Sequence, residues 1–345
     1  MTHPGSHDSQ TQSHPPERLL AYLTEAKRIL IMGHQNPDGD AMGSALALCL
    51  ALRSERREVT VGYSGTFPTS LGFLTEGKDF IVPVAFCPEL AQRHDLLVLV
   101  DCLAAFRVWP EAENQPPESL PPVVAIDHHA DRSPNHALVT YVNHRASATA
   151  ELVFKVIEAL GAEFTPQIVE ALLTALMSDT GSFSQGNSTA ECLRQASLLV
   201  SMGGDIEHIN DYLKRNWSIT RMRLFTETLS TIDLHQGGRL ATMILTQKML
   251  DQTGSCLAEA EGLVEYPLLL TGVDMVAFFK VNGHGQTRVS LRSRPGVDVR
   301  ELARAHGGGG HKQAAAYQDD SPHPEVAMEK LLTKLGALPR AGKSA

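Results

Sequence analysis

The 345-residue chain has no uninterrupted apolar run approaching the ~20 residues that a membrane-spanning helix needs. It also lacks paired cysteines. Cys49, Cys87, Cys102, Cys192 and Cys256 are odd in number, lie far apart and form no C-x-x-C, which argues against a disulfide framework. They read as small core residues of a protein in a reducing compartment, the cytoplasm. Cationic residues are in deficit, 30 Lys and Arg against 39 Asp and Glu, for a net charge of -9. That deficit argues against coating of long nucleic acid by bulk attraction, which draws on many Lys and Arg contacts to phosphates. Only 6% of residues are aromatic, too few for the extended stacking groove of a long-strand exonuclease. Residues 1–16 lack the basic and apolar stretches of a signal peptide. Rich in Ser, His, Gln and Pro, they read as a disordered tail, in which His3, His7 and His14 are not expected to hold a metal.

Hydrophobic residues make up 43% and charged residues 20%, an ordinary globular mix, and the length favours two domains. Through residues 17–205, short β-rich runs (RILIMG, EVTVGY, IVPV, DLLVLVD, PVVAID) alternate with helix-like stretches, Ala41 to Arg53 and Thr149 to Leu160 among them. That order predicts an α/β domain with a parallel sheet wrapped by helices. Residues 206–224 are expected to connect it to a smaller mixed α/β domain over 225–340. There RLATMILTQ, VDMVAFFKV and QTRVSLRS are strand-like, NGHG signals a hairpin, and helix-like VRELARA precedes GGGGHKQAAA. No internal repeat is evident.

Several strands of the first domain end directly in polar clusters, and in open α/β sheets ligands gather off the carboxyl ends of strands. GHQNPDGD sets His34, Asp38 and Asp40 in an H-x-x-x-D-x-D spacing on a loop before a helix. An imidazole and two carboxylates can converge there on a cation, and nitrogen with hard oxygen and no thiolate suits Mn²⁺, then Mg²⁺, Co²⁺ or Fe²⁺. The bland alternative is a helix cap at Asp38 or Asp40. Asp101 follows DLLVLV, and Asp127, His128 and His129 follow VVAI. A lone Asp at a strand end is usually a turn former, but adjacent ionisable groups there need partners. Asp179, after the apolar helical run ALLTALMS, would sit at the negative end of a helix dipole, a conflict that a bound cation removes.

These pieces in this order, H-x-x-x-D-x-D, D, DHH and SDTG, resemble the DHH phosphoesterase superfamily, over essentially everything beyond the tail. GHQNPDGDAMGSALAL, ASATAELVF, SDTGSFSQGNST and VSLRSRPGVDVRELARAHGGGGHKQAA look most like its nanoRNase and pAp phosphatase branch. The resemblance implies a two-metal site. His34, Asp38, Asp101 and Asp179 would hold one ion, and Asp40, Asp101, His128 and Asp179 the other. His129 would face the substrate, stabilising charge or protonating the leaving oxygen, and Asp127 would orient the His128 ring. Two such ions can activate one water and clamp a phosphoryl group. Ala148 and Ala316 depart from the family's usual wording without removing a ligand.

Between Arg288 and Lys312 there are six Lys or Arg against two acids, a local excess of +4. Beside this lie the glycines at 307 to 310, whose backbone can approach an anion closely. Arg292, Ser293, Gly308, Gly309, Gly310 and His311 are the expected substrate contacts. The expected activity is hydrolysis of short oligoribonucleotides and dinucleotides such as pApA or cyclic di-AMP to mononucleotides, and of 3′-phosphoadenosine 5′-phosphate (pAp) to AMP. Neither long duplex nor membrane is an expected partner, and the resemblance favours a homodimer. The rival readings are an inorganic pyrophosphatase or exopolyphosphatase-like hydrolase, and a non-catalytic nucleotide sensor.

Overall fold

The computed structural model describes residues 12–53, 57–87, 89–114, 119–129, 137–215, 217–281, 285–310 and 312–335. The chain divides into two compact units, the first ending at Asn216 and the second beginning at Trp217. The first contains helices α1 (Glu17–Glu25), α2 (Gly39–Leu52), α3 (Gly72–Thr75), α4 (Leu90–Arg93), α5 (Thr149–Ala159), α6 (Pro166–Asp179), α7 (Ala190–Ser201) and α8 (Ile206–Lys214). Its strands are β1 (Arg28–Met32), β2 (Glu58–Tyr63), β3 (Ile81–Pro83), β4 (Leu96–Val100), β5 (Val123–Asp127) and β6 (Val139–Val142). The strands pair in the order β3-β2-β1-β4-β5-β6, every pair parallel. Every residue of β4 and β5 is buried, which is why their sequences are continuous apolar runs and do not alternate. The order reverses direction between β1 and β4, and such a switch point opens a crevice at the carboxyl edge of a sheet.

Helix α2 is buried almost all round because it lies between the sheet and α6. Its glycines set that distance. A Cβ on Gly39 would stand 2.5 Å from Ser178 Cβ, and one on Gly43 would collide with the Ala171 carbonyl oxygen. The G-x-x-x-G spacing puts both on the face of α2 turned to α6, and the close approach draws the start of α2 towards the end of α6.

The second unit contains α9 (Ile219–Leu229), β7 (Asp233–His235), β8 (Leu240–Leu245), α10 (Gln247–Thr253), β9 (Met275–Val281), β10 (Thr287–Ser293), α11 (Val299–Arg304), β11 (Gly309–Gly310), β12 (Ala314–Asp319) and α12 (Pro324–Leu335). Its sheet order is β11-β12-β10-β9-β8-β7, antiparallel except for the parallel pair β8 and β9.

The connecting residues 206–224 contain the boundary between the two units and are largely helical. Ile206–Lys214 is helical, with Tyr212 stacked on Phe73 at 4.3 Å and His208 3.6 Å from Glu170, while Ile219 already begins α9. The tail does not stay free to residue 16, since Gln12 donates its N–H to the Val142 carbonyl at 2.9 Å and accepts from the Val142 amide at 3.1 Å. That contact sits beside β6, a strand of four residues too short to stand out in the sequence. Cys49, Cys102 and Cys192 are buried, but Cys87 is half-buried and Cys256 exposed. The NGHG hairpin signal falls largely outside the described residues, as do His3 and His7. Among the described residues no helix is long and apolar enough to cross a membrane.

Substituting Gly43 tests the α2 and α6 contact. Alanine in a mid-helix position normally gains about 1 kcal/mol over glycine, so the expected sign is opposite to propensity. Gly43→Ala should destabilise the protein by about 1 to 3 kcal/mol through overpacking, read from the midpoint of urea unfolding. A more stable variant would show that the two helices do not meet there.

Candidate metal and substrate sites

The carboxyl ends of β1, β4 and β5 bring His34, Asp38, Asp40, Asp101, His128 and Asp179 to one place. Three groups of ligand atoms converge within 4.8 Å: His34, Asp38 and Asp101; Asp40, His128 and Asp179; and Asp101, His128 and His129. Asp101 stands between the first two groups. Its Oδ2 lies 3.5 Å from His34 Nε2 and its Oδ1 lies 3.5 Å from His128 Nε2. Asp38 caps α2 and also faces the cluster. Oδ1 caps α2 by accepting from the amides of Asp40 and Ala41 at 3.0 Å each, and Oδ2 faces His34 Nε2 at 3.8 Å.

Asp101 reaches its position through a backbone of φ 60°, a left-handed conformation that costs a non-glycine residue of order 1 kcal/mol or more. Its own N–H still bonds the Ile126 carbonyl at 3.0 Å, so the turn is fixed to β5. Asp40 is fully buried and held by hydrogen bonds from the Thr149 amide at 2.6 Å, the Ala150 amide at 3.0 Å and Ser44 Oγ at 3.1 Å. Two of these donors are first-turn amides of α5, where the helix dipole favours an anion. Thr149 Oγ1 donates to Asp101 Oδ1 at 3.0 Å. Thr149, Ala150 and Ser44 were not singled out from the sequence; the signal was present in the S-A-T-A-E run opening a helix.

Electrostatically the cluster is short of positive charge. Burial, with repulsion from Asp101, Asp179 and Asp38, pushes the Asp40 carboxyl well above its usual range. Burial raises Asp179 to about 6, opposed by His128 and reinforced by Asp101 and Asp38. Burial alone would lower the His34 imidazole, yet its contacts with Asp101 and Asp38 carry it up to about 10. No Lys or Arg among the described residues pairs with any of these carboxylates. His128 gives the sharpest test of whether a cation fits. Its Nδ1 lies 3.2 Å from the Ala146 carbonyl, which makes that nitrogen the protonated donor, while Nε2 is buried without a hydrogen-bond partner and faces Asp40, Asp101 and Asp179. A lone pair fixed this way is what a metal ligand requires. The donor set fits a divalent ion.

Asp127 does not orient His128, contrary to the expectation. Its Oδ1 accepts from the His129 amide at 3.0 Å and from the His129 ring Nδ1 at 2.9 Å, because alternate residues of an extended chain share a face and successive ones do not. The hydrogen bond to Asp127, against the opposing effect of burial, pushes the half-exposed His129 up to about 9. That hydrogen bond makes Nδ1 the donor and favours the protonated ring.

In the second unit, Arg288, Ser290 and Arg292 alternate along one face of β10, and Lys280 pairs across with Arg288 on β9. With Gly309, Gly310 and Ala316 they line a pocket of about 470 Å³. Burial lowers the Lys280 ammonium, and Arg288 and Arg292 reinforce the shift. Neither Lys280 nor Arg288 has an ion-pair partner among the described residues. Arg292 is held by Glu265 at 2.5 Å. Ser293 is not in the pocket; it is buried, with its hydroxyl bonded to the Val297 carbonyl at 2.6 Å. Gly308 does not line it either, and its lack of a side chain has a packing reason, since a Cβ would collide with the Ala316 carbonyl oxygen. His311 lies outside the described residues. Arg294, Arg300 and Arg304 serve structure, bonding the Leu268 and Val273 carbonyls, Asp298 and Glu301. Lys280 and Arg288, which line the pocket, were not among the expected contacts, although the R-x-S-x-R alternation of a strand pointed to one face.

The profile of the DHH family, N-terminal domain, matches residues 28–178, and that of the DHHA1 domain matches residues 254–337. The chain is 33% identical over 328 residues, 94% of its length and 95% of the relative's, to the bifunctional oligoribonuclease and PAP phosphatase NrnA of Thermus thermophilus. It is 27% identical to the cyclic-di-AMP phosphodiesterase GdpP of Bacillus subtilis, covering 91% of this chain and 48% of that one. An exopolyphosphatase-related protein of Bacteroides fragilis superposes with a TM-score of 0.84 at 27% identity, over 92% of this chain and 95% of that one.

Thr149→Val keeps the amide bond to Asp40 and deletes only the hydroxyl that orients Asp101. Calorimetric titration with Mn²⁺ should show affinity weakened about 10- to 100-fold, with the circular dichroism spectrum unaltered. An unchanged affinity would remove Thr149 from the site.

Proposed function

The chain belongs to the DHH family, with a DHH domain followed by a DHHA1 domain, and from that premise we propose that it hydrolyses short oligoribonucleotides and dinucleotides such as pApA to mononucleotides, and pAp to AMP. The observation that carries the reading is the convergence at a sheet switch point of buried carboxylates with the unpartnered His128 Nε2, with no Lys or Arg paired to them among the described residues. Similarity over 94% of the chain to an oligoribonuclease and PAP phosphatase supports the substrate class. Similarity to GdpP supports cyclic di-AMP as a further substrate.

His34, Asp38 and Asp101 would hold one divalent ion and Asp40, His128 and Asp179 a second, with Asp101 shared; the mixed nitrogen and oxygen donors suit Mn²⁺. Bound there, such ions would supply an activated water and charge neutralisation at the phosphoryl oxygens. The chain's own groups do the rest. The α5 amides and Ser44 fix Asp40, Thr149 fixes Asp101, and the Ala146 carbonyl fixes the His128 tautomer, so little reorganisation accompanies reaction. His129, protonated through Asp127, donates a hydrogen bond to the phosphoryl oxygen or a proton to the departing 3′ oxygen. Within the second unit, Lys280, Arg288 and Arg292 line a pocket suited to charge-assisted bonds with a phosphate.

A panel of pAp, pApA, cyclic di-AMP, pyrophosphate and RNA of increasing length, assayed with Mn²⁺, Mg²⁺ and Co²⁺, tests the assignment. Mononucleotide release from pApA should depend on metal and fall about 1000-fold or more in Asp101→Ala. Full activity in that variant would sink the site. Arg288→Ala should raise KM about 10-fold or more, as expected for a lost charge-assisted bond, while leaving kcat near the wild-type value. Preference for pyrophosphate over pApA would favour a pyrophosphatase.

A further inference from the structure

A second pocket, of about 440 Å³, lies wholly within the first unit and takes no part in the chemistry above. It sits at the carboxyl ends of β2 and β3, against the loop that follows β4. In sheet order β2 adjoins β1, and β3 lies outside β2. Gln35 lines the pocket, follows the cluster residue His34 directly, and is tied by its N–H to the Arg107 carbonyl at 2.7 Å. One short stretch of loop therefore carries a ligand-bearing imidazole and a wall of the pocket.

The lining is chemically unlike that of the cationic pocket in the second unit. Tyr63 and Phe86, both partly exposed, give it aromatic surface over the buried Trp109, and neither Lys nor Arg lines it. Phosphate has nothing to hold it there. Two of its polar groups are already committed, Trp109 Nε1 to the Val84 carbonyl at 2.8 Å and Ser64 Oγ to the Val108 carbonyl at 2.5 Å. The Gln35 carboxamide and the Glu111 carboxylate have no side-chain partner among the described residues. Aromatic faces with an amide and a carboxylate at the margin suit a nucleobase, which stacks and presents donors and acceptors along its edge. The volume is within the range of small-molecule sites.

We propose that this pocket receives the nucleoside joined through O5′ to the scissile phosphate, an inference that rests on the activity proposed above. In a dinucleotide, the oxygen of water bonds to phosphorus, the bond from phosphorus to O3′ of the first nucleotide breaks, and that O3′ leaves with its electron pair and takes a proton. The phosphate stays on O5′ of the second nucleotide. In pAp the same bond breaks, but the phosphate departs as inorganic phosphate, because it carries no O5′ substituent. A group able to fill the pocket is thus present in the diester and absent from the monoester. The pocket determines specificity for oligonucleotide over pAp without touching the atoms that react.

The test compares the two substrates in the full chain. Ala85 is exposed at the pocket rim, so Ala85→Trp should block the pocket and lower kcat/KM for pApA roughly 5- to 100-fold, the range expected for losing a stacked base. Hydrolysis of pAp should remain within about twofold, which also certifies the fold. Ala85→Ser, too small to block, should leave both activities in place. Equal loss of both activities in Ala85→Trp, or loss of neither, overturns the pocket assignment while the proposed activity stands. A wild-type enzyme that cleaves neither substrate overturns both.

Discussion

The structure of the first unit turns on keeping negative charge buried where the sheet changes direction. Asp40 and Asp101 are 0% and 4% exposed, and they repel one another and Asp179 with no Lys or Arg paired to them among the described residues. Such a group persists only if hydrogen bonds replace the lost water and a cation is available to the folded state. The local architecture supplies the first condition. The N-terminus of α5 points two amides at Asp40, Thr149 reaches Asp101, and the glycines of α2 let that helix approach α6 until Asp40 and Asp179 share His128. Deleting any one of these supports leaves the other carboxylates more poorly solvated than before, so the site is cooperative in its construction.

That constraint explains which parts of the site were legible in the sequence. Ligand positions at strand ends announce themselves, because a continuous apolar run followed at once by Asp or His has few structural uses; Asp101 after LLVLV and His128 after VVAID are of this kind. The parallel sheet followed from the same runs. What could not be read was the direction of each side chain. Asp127 and His128 are neighbours in the chain but face different ways, so the carboxylate serves His129, and the His128 ring is set by the Ala146 carbonyl from a loop eighteen residues on. Short pieces were lost for a related reason: β6 and the Gln12 contact carry too few residues to generate a periodic signal.

The glycine and arginine segment of the second unit differs in another way: part of it lines a cationic pocket, and the rest has structural roles that the sequence did not show. Gly308 and Gly310 are glycine because β11 lies so close to β12 that a Cβ would meet the Ala316 or Ala314 carbonyl. Anion access is a consequence of that packing at Gly309, which lines the pocket with open space above its Cα. Counting charge along the sequence included Arg294, Arg300 and Arg304, whose guanidinium groups are engaged within the fold, and omitted Lys280, which lies on another strand. Only the register of β9 against β10 brings Lys280 beside Arg288.

Net charge describes neither pocket. A chain of -9 overall still places Lys280, Arg288 and Arg292 around one cavity and builds an aromatic cavity without Lys or Arg beside its acidic cluster. Coulomb attraction between exposed charges fades over about 10 Å at ordinary ionic strength, so recognition depends on the few groups within that distance. The cationic pocket can hold a phosphate in spite of the overall charge. The aromatic pocket, next to carboxylates that repel anions, can hold the uncharged end of a nucleotide but not its phosphate. The two cavities thus differ in the kind of group they suit, an anion in the second unit and an uncharged ring in the first, whatever the net charge of the chain.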